Sequence, residues 1–259
     1  MRGIQYQNGI YRTPAKQLSF FGKMLPSLSF YSRFLLIVAS AGWKAKQGKY
    51  DSGSWIDSSL DVLLRLENAG IRVEISGIEN LLELNEPVVI IGNHMSMMET
   101  LLLPGIIQPL MEVTFVVKQS LLDYPVFKYV MRSRNPIAVS RTNPRSDLKV
   151  VMTDGVERLK NGISVIVFPQ TTRSQDFDAK QMSSIGVKLA KKACVNVVPL
   201  ALKTDAWQNG RMVKDFGRLD VKKTAYFSFG KSLRVEGKGN EEQAAINNFI
   251  AEKLRGWQK

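Results

Sequence analysis

From residue 54 onward the chain alternates between two hydrophobic periods, and this alternation restricts the fold more than any other feature. The runs "IRVEI", "PVVII", "VTFVV", "PIAV", "SVIVF", "VNVVPLAL" and "TAYFSF" are four to eight residues long, mostly apolar and often β-branched, as strands covered on both faces are. Helices are expected between them. "SWIDSSLDVLLRLENAG" is apolar at 56, 60, 63, 64 and 66 and stops at Gly70, and further helices are expected over 96–106, 119–133, 145–161, 182–193 and 240–256. Strands alternating with helices imply right-handed crossovers and parallel pairing. The expected fold class is α/β, a mostly parallel central sheet with flanking helices. At 259 residues and 44% hydrophobic content the chain can bury a full core.

The first 50 residues differ in character. They hold Arg2, Arg12, Lys16, Lys23, Arg33, Lys44, Lys46 and Lys49 and no acid, and so carry +8 of the formal net charge of +13. Interleaved is "LSFFGKMLPSLSFYSRFLLIVASAGW", whose uninterrupted apolar part, Phe34 to Trp43, is ten residues. A bilayer span needs about 20. An interfacial helical anchor fits better, its apolar face in the headgroup boundary and its cations on an anionic surface; a core helix with a basic fringe and a targeting segment are the competing explanations. Pro26 is expected to divide the segment into two short helices. The division expected is 1–47 as a membrane-docking segment and 48–259 as the α/β domain. The single cysteine, Cys194, excludes an internal disulfide and reads as a small buried core residue of an intracellular protein.

In a parallel sheet, reactive groups collect just past the carboxyl ends of strands. The only histidine, His94, follows "PVVII", and "PQTTRS" follows "SVIVF", so both belong on one sheet edge. Glu99 stands five residues after His94, a separation that lets a carboxylate orient one ring nitrogen and leaves the other for a substrate proton. Ser96-Met97-Met98-Glu99 is equally a capping box. No G-x-S-x-G elbow supplies a nucleophile, so the hydroxyl would come from the substrate. In "VFPQTTRSQDFD", Thr171, Thr172 and Ser174 offer hydroxyls and Arg173 a planar fork, together an anion site; alternatively Arg173 pairs with Asp176 or Asp178 in an ordinary polar loop. "AYFSFGKS" has Ala225 where a phosphate-binding loop needs its first glycine. One histidine and one cysteine do not make a zinc site, and no metal or cofactor is expected.

As a set, these residues resemble the glycerophospholipid acyltransferase family, which includes bacterial 1-acylglycerol-3-phosphate acyltransferases. "NHMSMMET" is similar to its N-H-x-x-x-x-D block, with Glu99 for the aspartate. Lys118, Pro125 and "IAVSR" ending at Arg141 are similar to its second block, "FPQTTRS" to its F-P-E-G-T-R-S block and "VVPLAL" around Pro199 to its fourth. Gln170 and Thr171 depart from the third block's glutamate and glycine, and glutamate at position 99 is shared with the acyltransferases of lipid A assembly. The resemblance implies that His94 deprotonates an acceptor hydroxyl while Glu99 holds the imidazole. The acyl thioester would come from acyl-CoA or acyl-carrier protein, as co-substrate rather than cofactor. It also implies that Arg173, helped by Thr172, Lys118, Arg141 and Gln170, binds a lysophospholipid acceptor's phosphate. An anionic membrane surface at the cytoplasmic face of the inner membrane is the expected partner and place, and nucleic acid is not. The alternatives are acylation of an ornithine-type or glycolipid hydroxyl, and a basic peripheral protein that binds anionic lipid or nucleic acid without catalysis.

Overall fold

The computed structural model describes residues 3–15, 17–18, 23–125, 127–170, 172–210 and 213–258. Arg2, Lys16, Phe20, Phe21 and Thr171, which figure in the sequence reading, lie outside the described residues.

The strands are β1 (Tyr11–Arg12), β2 (Arg72–Ser76), β3 (Val89–Gly92), β4 (Val113–Lys118), β5 (Ile137–Val139), β6 (Ser164–Val167), β7 (Val197–Lys203) and β8 (Thr224–Phe229). The helices are α1 (Pro26–Lys46), α2 (Ser52–Asn68), α3 (Glu79–Leu82), α4 (Met98–Ile107), α5 (Lys128–Ser133), α6 (Pro144–Lys160), α7 (Ile185–Ala193) and α8 (Asn240–Gly256). All seven apolar runs form strands. The expected helix over 119–133 is instead a 3₁₀ turn at Gln119–Leu122 followed by α5, because Pro125 has no N–H to donate and pushes the residue before it out of helical geometry.

One eight-stranded sheet has the order β1-β2-β8-β7-β3-β6-β4-β5. Pairings from β7 through β3, β6 and β4 to β5 are parallel, as is β2 with β8, but β7 and β8 run antiparallel. No described α-helix lies between β7 and β8, so the chain returns without the crossover that parallel strands require. Both faces are covered, and the strand period of two sorts the side chains. Val88 and Ile90 join one cluster with Phe34 of α1, Leu66 of α2 and Leu103 of α4. Val89 and Ile91 join another with Val151 of α6, Leu189 of α7 and Ile250 of α8.

The N-terminal segment is broken at Pro26, as expected: Lys23 and Met24 are helical and Leu25 is not. Pro26 opens α1, where the missing N–H has no intrahelical acceptor to lose, and this second helix is long, at 21 residues, rather than short. Phe30, Phe34, Val38 and Ala41 repeat at helical spacing and are buried, with Phe30 and Phe34 edge-on to Trp207 at centroid distances of 4.9 and 5.5 Å. The opposite face is also apolar and is exposed: Leu28 is 63% and Leu36 62% accessible, alongside Leu35, Trp43 and the cation Arg33. Among the described residues no helix is long and apolar enough to cross a membrane. The expected docking segment is therefore also a layer of the core.

Cys194 contradicts its reading. It is exposed, at the C-cap of α7 in the left-handed region with φ 58°. There it ends the helix, a position glycine usually takes, and its side chain points away from the core that β7 enters.

Candidate active site

His94 lies just past the carboxyl end of β3, between two neighbours that hold its backbone. Before it, Asn93 pairs with β7 as a residue of the ladder would, its amide donating to the Leu202 carbonyl at 2.8 Å and its side-chain oxygen accepting from Leu202 N–H at 2.9 Å. The β6 side completes the clamp. Gln170 Oε1 accepts from His94 N–H at 2.5 Å, and the His94 carbonyl accepts from Ser174 N–H at 2.9 Å. The two sequence clusters thus meet on one sheet edge, as their positions after β3 and β6 require. Gln170 acts through its carbonyl oxygen, which a glutamate would equally present, so this departure from the family block preserves the bond. The imidazole stacks on Phe168, with centroids 4.5 Å apart and planes 7° apart.

Glu99 is in the first turn of α4 and fully buried. Its Oε1 is 3.1 Å from His94 Nδ1, and the same oxygen accepts from Met95 N–H at 2.6 Å and Ser96 N–H at 2.9 Å. Its Oε2 accepts from Thr204 Oγ1 at 2.5 Å and lies 3.0 Å from Ser96 Oγ. Ser96 Oγ accepts from Met98 N–H at 3.1 Å, so serine and glutamate both take up amides at the helix start, the serine reaching Met98 rather than the Glu99 N–H that a full capping box would use. Capping and orientation are thus two jobs of one carboxylate. Burial pushes the Glu99 carboxyl upward, but the hydrogen bonds and charge of His94, with those of Thr204 and Ser96, outweigh it and hold the group below the ordinary carboxylate range. A carboxylate at Nδ1 fixes the tautomer: Nδ1 carries the proton and Nε2 keeps a lone pair.

His94 lines a cavity of about 140 Å³ together with Arg173, Arg141, Lys118, Asp215 and Arg134 and with the apolar side chains of Trp55, Leu101, Phe115, Phe127, Val130 and Met131. Arg173 Nε is 3.4 Å from His94 Nε2, and its Nη1 pairs with Asp215 Oδ1 at 2.6 Å. The partner is therefore Asp215, not Asp176 or Asp178. Arg141 is aimed by Asp147, whose carboxylate accepts from Ser140 N–H at 2.8 Å and Arg141 N–H at 2.7 Å and closes a turn in which Arg141 has φ 61°. Desolvation, with the like charge of Arg173 next, holds the Arg141 guanidinium below its ordinary range. Two mutually repelling guanidiniums and a lysine on one cavity with an imidazole suit an anion.

Most of the expected site residues converge here. Thr172 does not line the cavity; it is exposed and its hydroxyl accepts from Lys214 Nζ at 3.3 Å. Thr171, offered as a further donor, lies outside the described residues. Sequence reading missed Asp215, Thr204, Asp147 and Asn209, whose amide donates to the Met95 carbonyl at 3.1 Å. Only Thr204 had a readable signal, as the polar residue just past β7, which runs parallel to β3.

Residues 72–203 match the family described as Acyltransferase. A 1-acyl-sn-glycerol-3-phosphate acyltransferase of Pseudomonas aeruginosa is 34% identical over 180 residues, 69% of this chain and 66% of that protein. The chloroplastic 1-acyl-sn-glycerol-3-phosphate acyltransferase LPAT1 of Arabidopsis thaliana is 31% identical over 133 residues, 51% of this chain and 36% of its own. This chain thus spans between about a third and two thirds of the length of these relatives. The fold is similar to the crystal structure of the 1-acyl-sn-glycerophosphate acyltransferase of Thermotoga maritima, with a TM-score of 0.64 at 20% identity over 91% of this chain and 94% of that one. Built around one oriented imidazole at a parallel-sheet edge, the chain belongs to the acyltransferase family.

Proposed function

We propose that the protein transfers a fatty acyl group from a thioester donor to the free hydroxyl of 1-acylglycerol-3-phosphate, forming phosphatidic acid. The observation that carries this reading is the placement of His94 on a largely apolar cavity that Arg173 and Arg141 also line, with Arg173 Nε 3.4 Å from Nε2 and Glu99 on Nδ1. Nε2 takes the proton of the acceptor hydroxyl as its oxygen attacks the thioester carbonyl. The carbon–sulfur bond then breaks, and the same nitrogen returns the proton to the departing thiolate. The products are an ester and a free thiol. Base catalysis of this kind contributes roughly 10²–10⁴, and Glu99 stabilises the imidazolium formed between the two steps.

Arg173 and Arg141 hold the acceptor's phosphate, with Lys118 at the rim. The apolar side chains of the cavity wall take an acyl chain, and the donor is acyl-CoA or acyl-carrier protein. The exposed apolar face of α1, flanked by Lys23, Arg33, Lys44 and Lys46, docks on an anionic surface at the cytoplasmic side of the membrane, where the acceptor resides. The names of the relatives from Pseudomonas aeruginosa and Arabidopsis thaliana support the acceptor.

The test is to incubate the purified protein with acyl-CoA or acyl-carrier protein and a panel of lyso-lipids, including ornithine-type and glycolipid acceptors, and to measure acylated product and free thiol together. Phosphatidic acid formed in step with thiol release is the expected result. Product only on acceptors without a phosphate monoester would reassign the acceptor, and lipid binding without thiol release would make the protein a non-catalytic membrane binder.

A further inference from the structure

Arg173 already has an anion. Its pairing with Asp215 at 2.6 Å is largely enclosed, with side chains 16% and 17% exposed. From that position its Nε–H points at His94 Nε2 from 3.4 Å. Nδ1 is committed to Glu99, so Nε2 is the one ring nitrogen able to accept a substrate proton. One guanidinium therefore lies across the base, and one carboxylate keeps it there.

Asp215 is not a loose surface acid. Its loop, between β7 and β8, is folded so tightly that a Cβ on Gly217 would come within 1.6 Å of the Gln208 carbonyl oxygen. It is also braced on α1. Tyr31 Oη donates to the Gly217 carbonyl at 2.5 Å, Leu219 N–H donates to Ser27 Oγ at 3.0 Å, and the ring of Phe216 lies 5.7 Å from that of Tyr31.

We propose that Asp215 is a positioning residue that stands in for the acceptor's phosphate, holding Arg173 over His94 Nε2 until a phosphate takes its place on the guanidinium and uncovers the base. The exchange favours the substrate on charge. A phosphate monoester carries about −1.5 to −2 and three acceptor oxygens, so Arg173, Arg141 and Lys118 attract it more than one carboxylate. An acceptor without phosphate leaves the base covered, and so does water in the absence of acceptor. The device thus couples phosphate recognition to proton transfer and restrains thioester hydrolysis. It rests on the proposed reading of Arg173 as the phosphate holder.

The single histidine makes the test direct. Diethyl pyrocarbonate acylates an accessible unprotonated imidazole, so carbethoxy-histidine absorbance reports His94 alone. Asp215→Asn should be carbethoxylated several-fold faster than wild type, and inorganic phosphate should inhibit its acyl transfer at concentrations about two- to fivefold lower, the effect of losing one partly exposed ionic competitor. Unchanged carbethoxylation would overturn the proposal. So would weaker phosphate inhibition in the variant, because Asp215 would then assist anion binding. If the variant does not keep the wild-type melting temperature, wild-type protein answers through ¹⁵N NMR of its one imidazole: inorganic phosphate should shift the Nε2 resonance, and no shift would overturn the proposal. Failure of the underlying reading looks different. Arg173→Ala would then lose activity equally on phosphate-bearing and neutral acceptors, while Asp215→Asn still exposed the base.

Discussion

One oxygen of Glu99 accepts from both His94 Nδ1 and the Met95 and Ser96 N–H groups of the turn that leads into α4, so the orientation of the imidazole and the approach to the helix depend on the same atom. Substitution here must therefore change rate and stability together. Glu99→Gln should lose acyl transfer severely and also lose roughly 1–3 kcal/mol of stability for buried groups left without a charged acceptor. Glu99→Asp should retain partial activity, its carboxylate one methylene short of three donors. His94→Ala should lose about 10²–10⁴ in kcat and little stability. Steady-state kinetics beside thermal melts separate these; full turnover with only a lowered Tm in Glu99→Gln would make the carboxylate a cap alone.

Glu99 also sets an acid limit. Its folded-state affinity for protons lies below the ordinary value of 4.5. The stability it contributes is therefore fully present above that pH and is lost as pH falls through the depressed folded value. The stability gap between wild type and Glu99→Gln should close as pH falls below about 4.5. Urea melts of both proteins across this range check the sign, and a gap that widened on acidification would contradict it.

Arg173 should prove irreplaceable by lysine, whose point charge cannot copy a planar fork. A charged hydrogen bond is worth about 1.5–3 kcal/mol, so Arg173→Ala should lower kcat/KM roughly tenfold to a hundredfold on lysophosphatidate. On lyso-lipids without an exposed phosphate monoester the loss should shrink. Specificity constants on both acceptor classes decide it, and equal losses would leave Arg173 a support of its loop.

The N-terminal helix calls for substitutions on one face rather than deletion. Removing residues 1–47 would strip Phe30 and Phe34 from the core, and Phe34→Ala alone should cost about 3–5 kcal/mol. Leu28→Gln with Leu36→Gln changes only exposed positions. That pair should leave Tm nearly unchanged, weaken flotation with anionic vesicles and depress activity on long-chain acceptors more than on short, soluble ones. Flotation at the wild-type level would refute the docking face.

What local sequence determined is what short-range physics controls. The apolar, β-branched runs became strands at the places they occupy, Ser96 and Glu99 took up free amides at the approach to α4, and His94 and Arg173 met because each closely follows one of two adjacent parallel strands. Local pattern failed where the deciding contact lay far along the chain. Asp215 reaches Arg173 across 42 residues and Thr204 reaches Glu99 across 105; Thr204 is marked only by its place just past β7, and nothing around Asp215 distinguishes it from an ordinary loop acid. Cys194 sits in an apolar run that reads as core, yet the left-handed end of α7 turns it outward. The apolar face of α1 was legible, but which half would be buried depended on Trp207, which enters from the far side of the sheet's sequence. Backbone periodicity is set by neighbours within a turn or a strand pair, whereas charge pairing and burial are set by whatever the completed fold brings within a few ångströms.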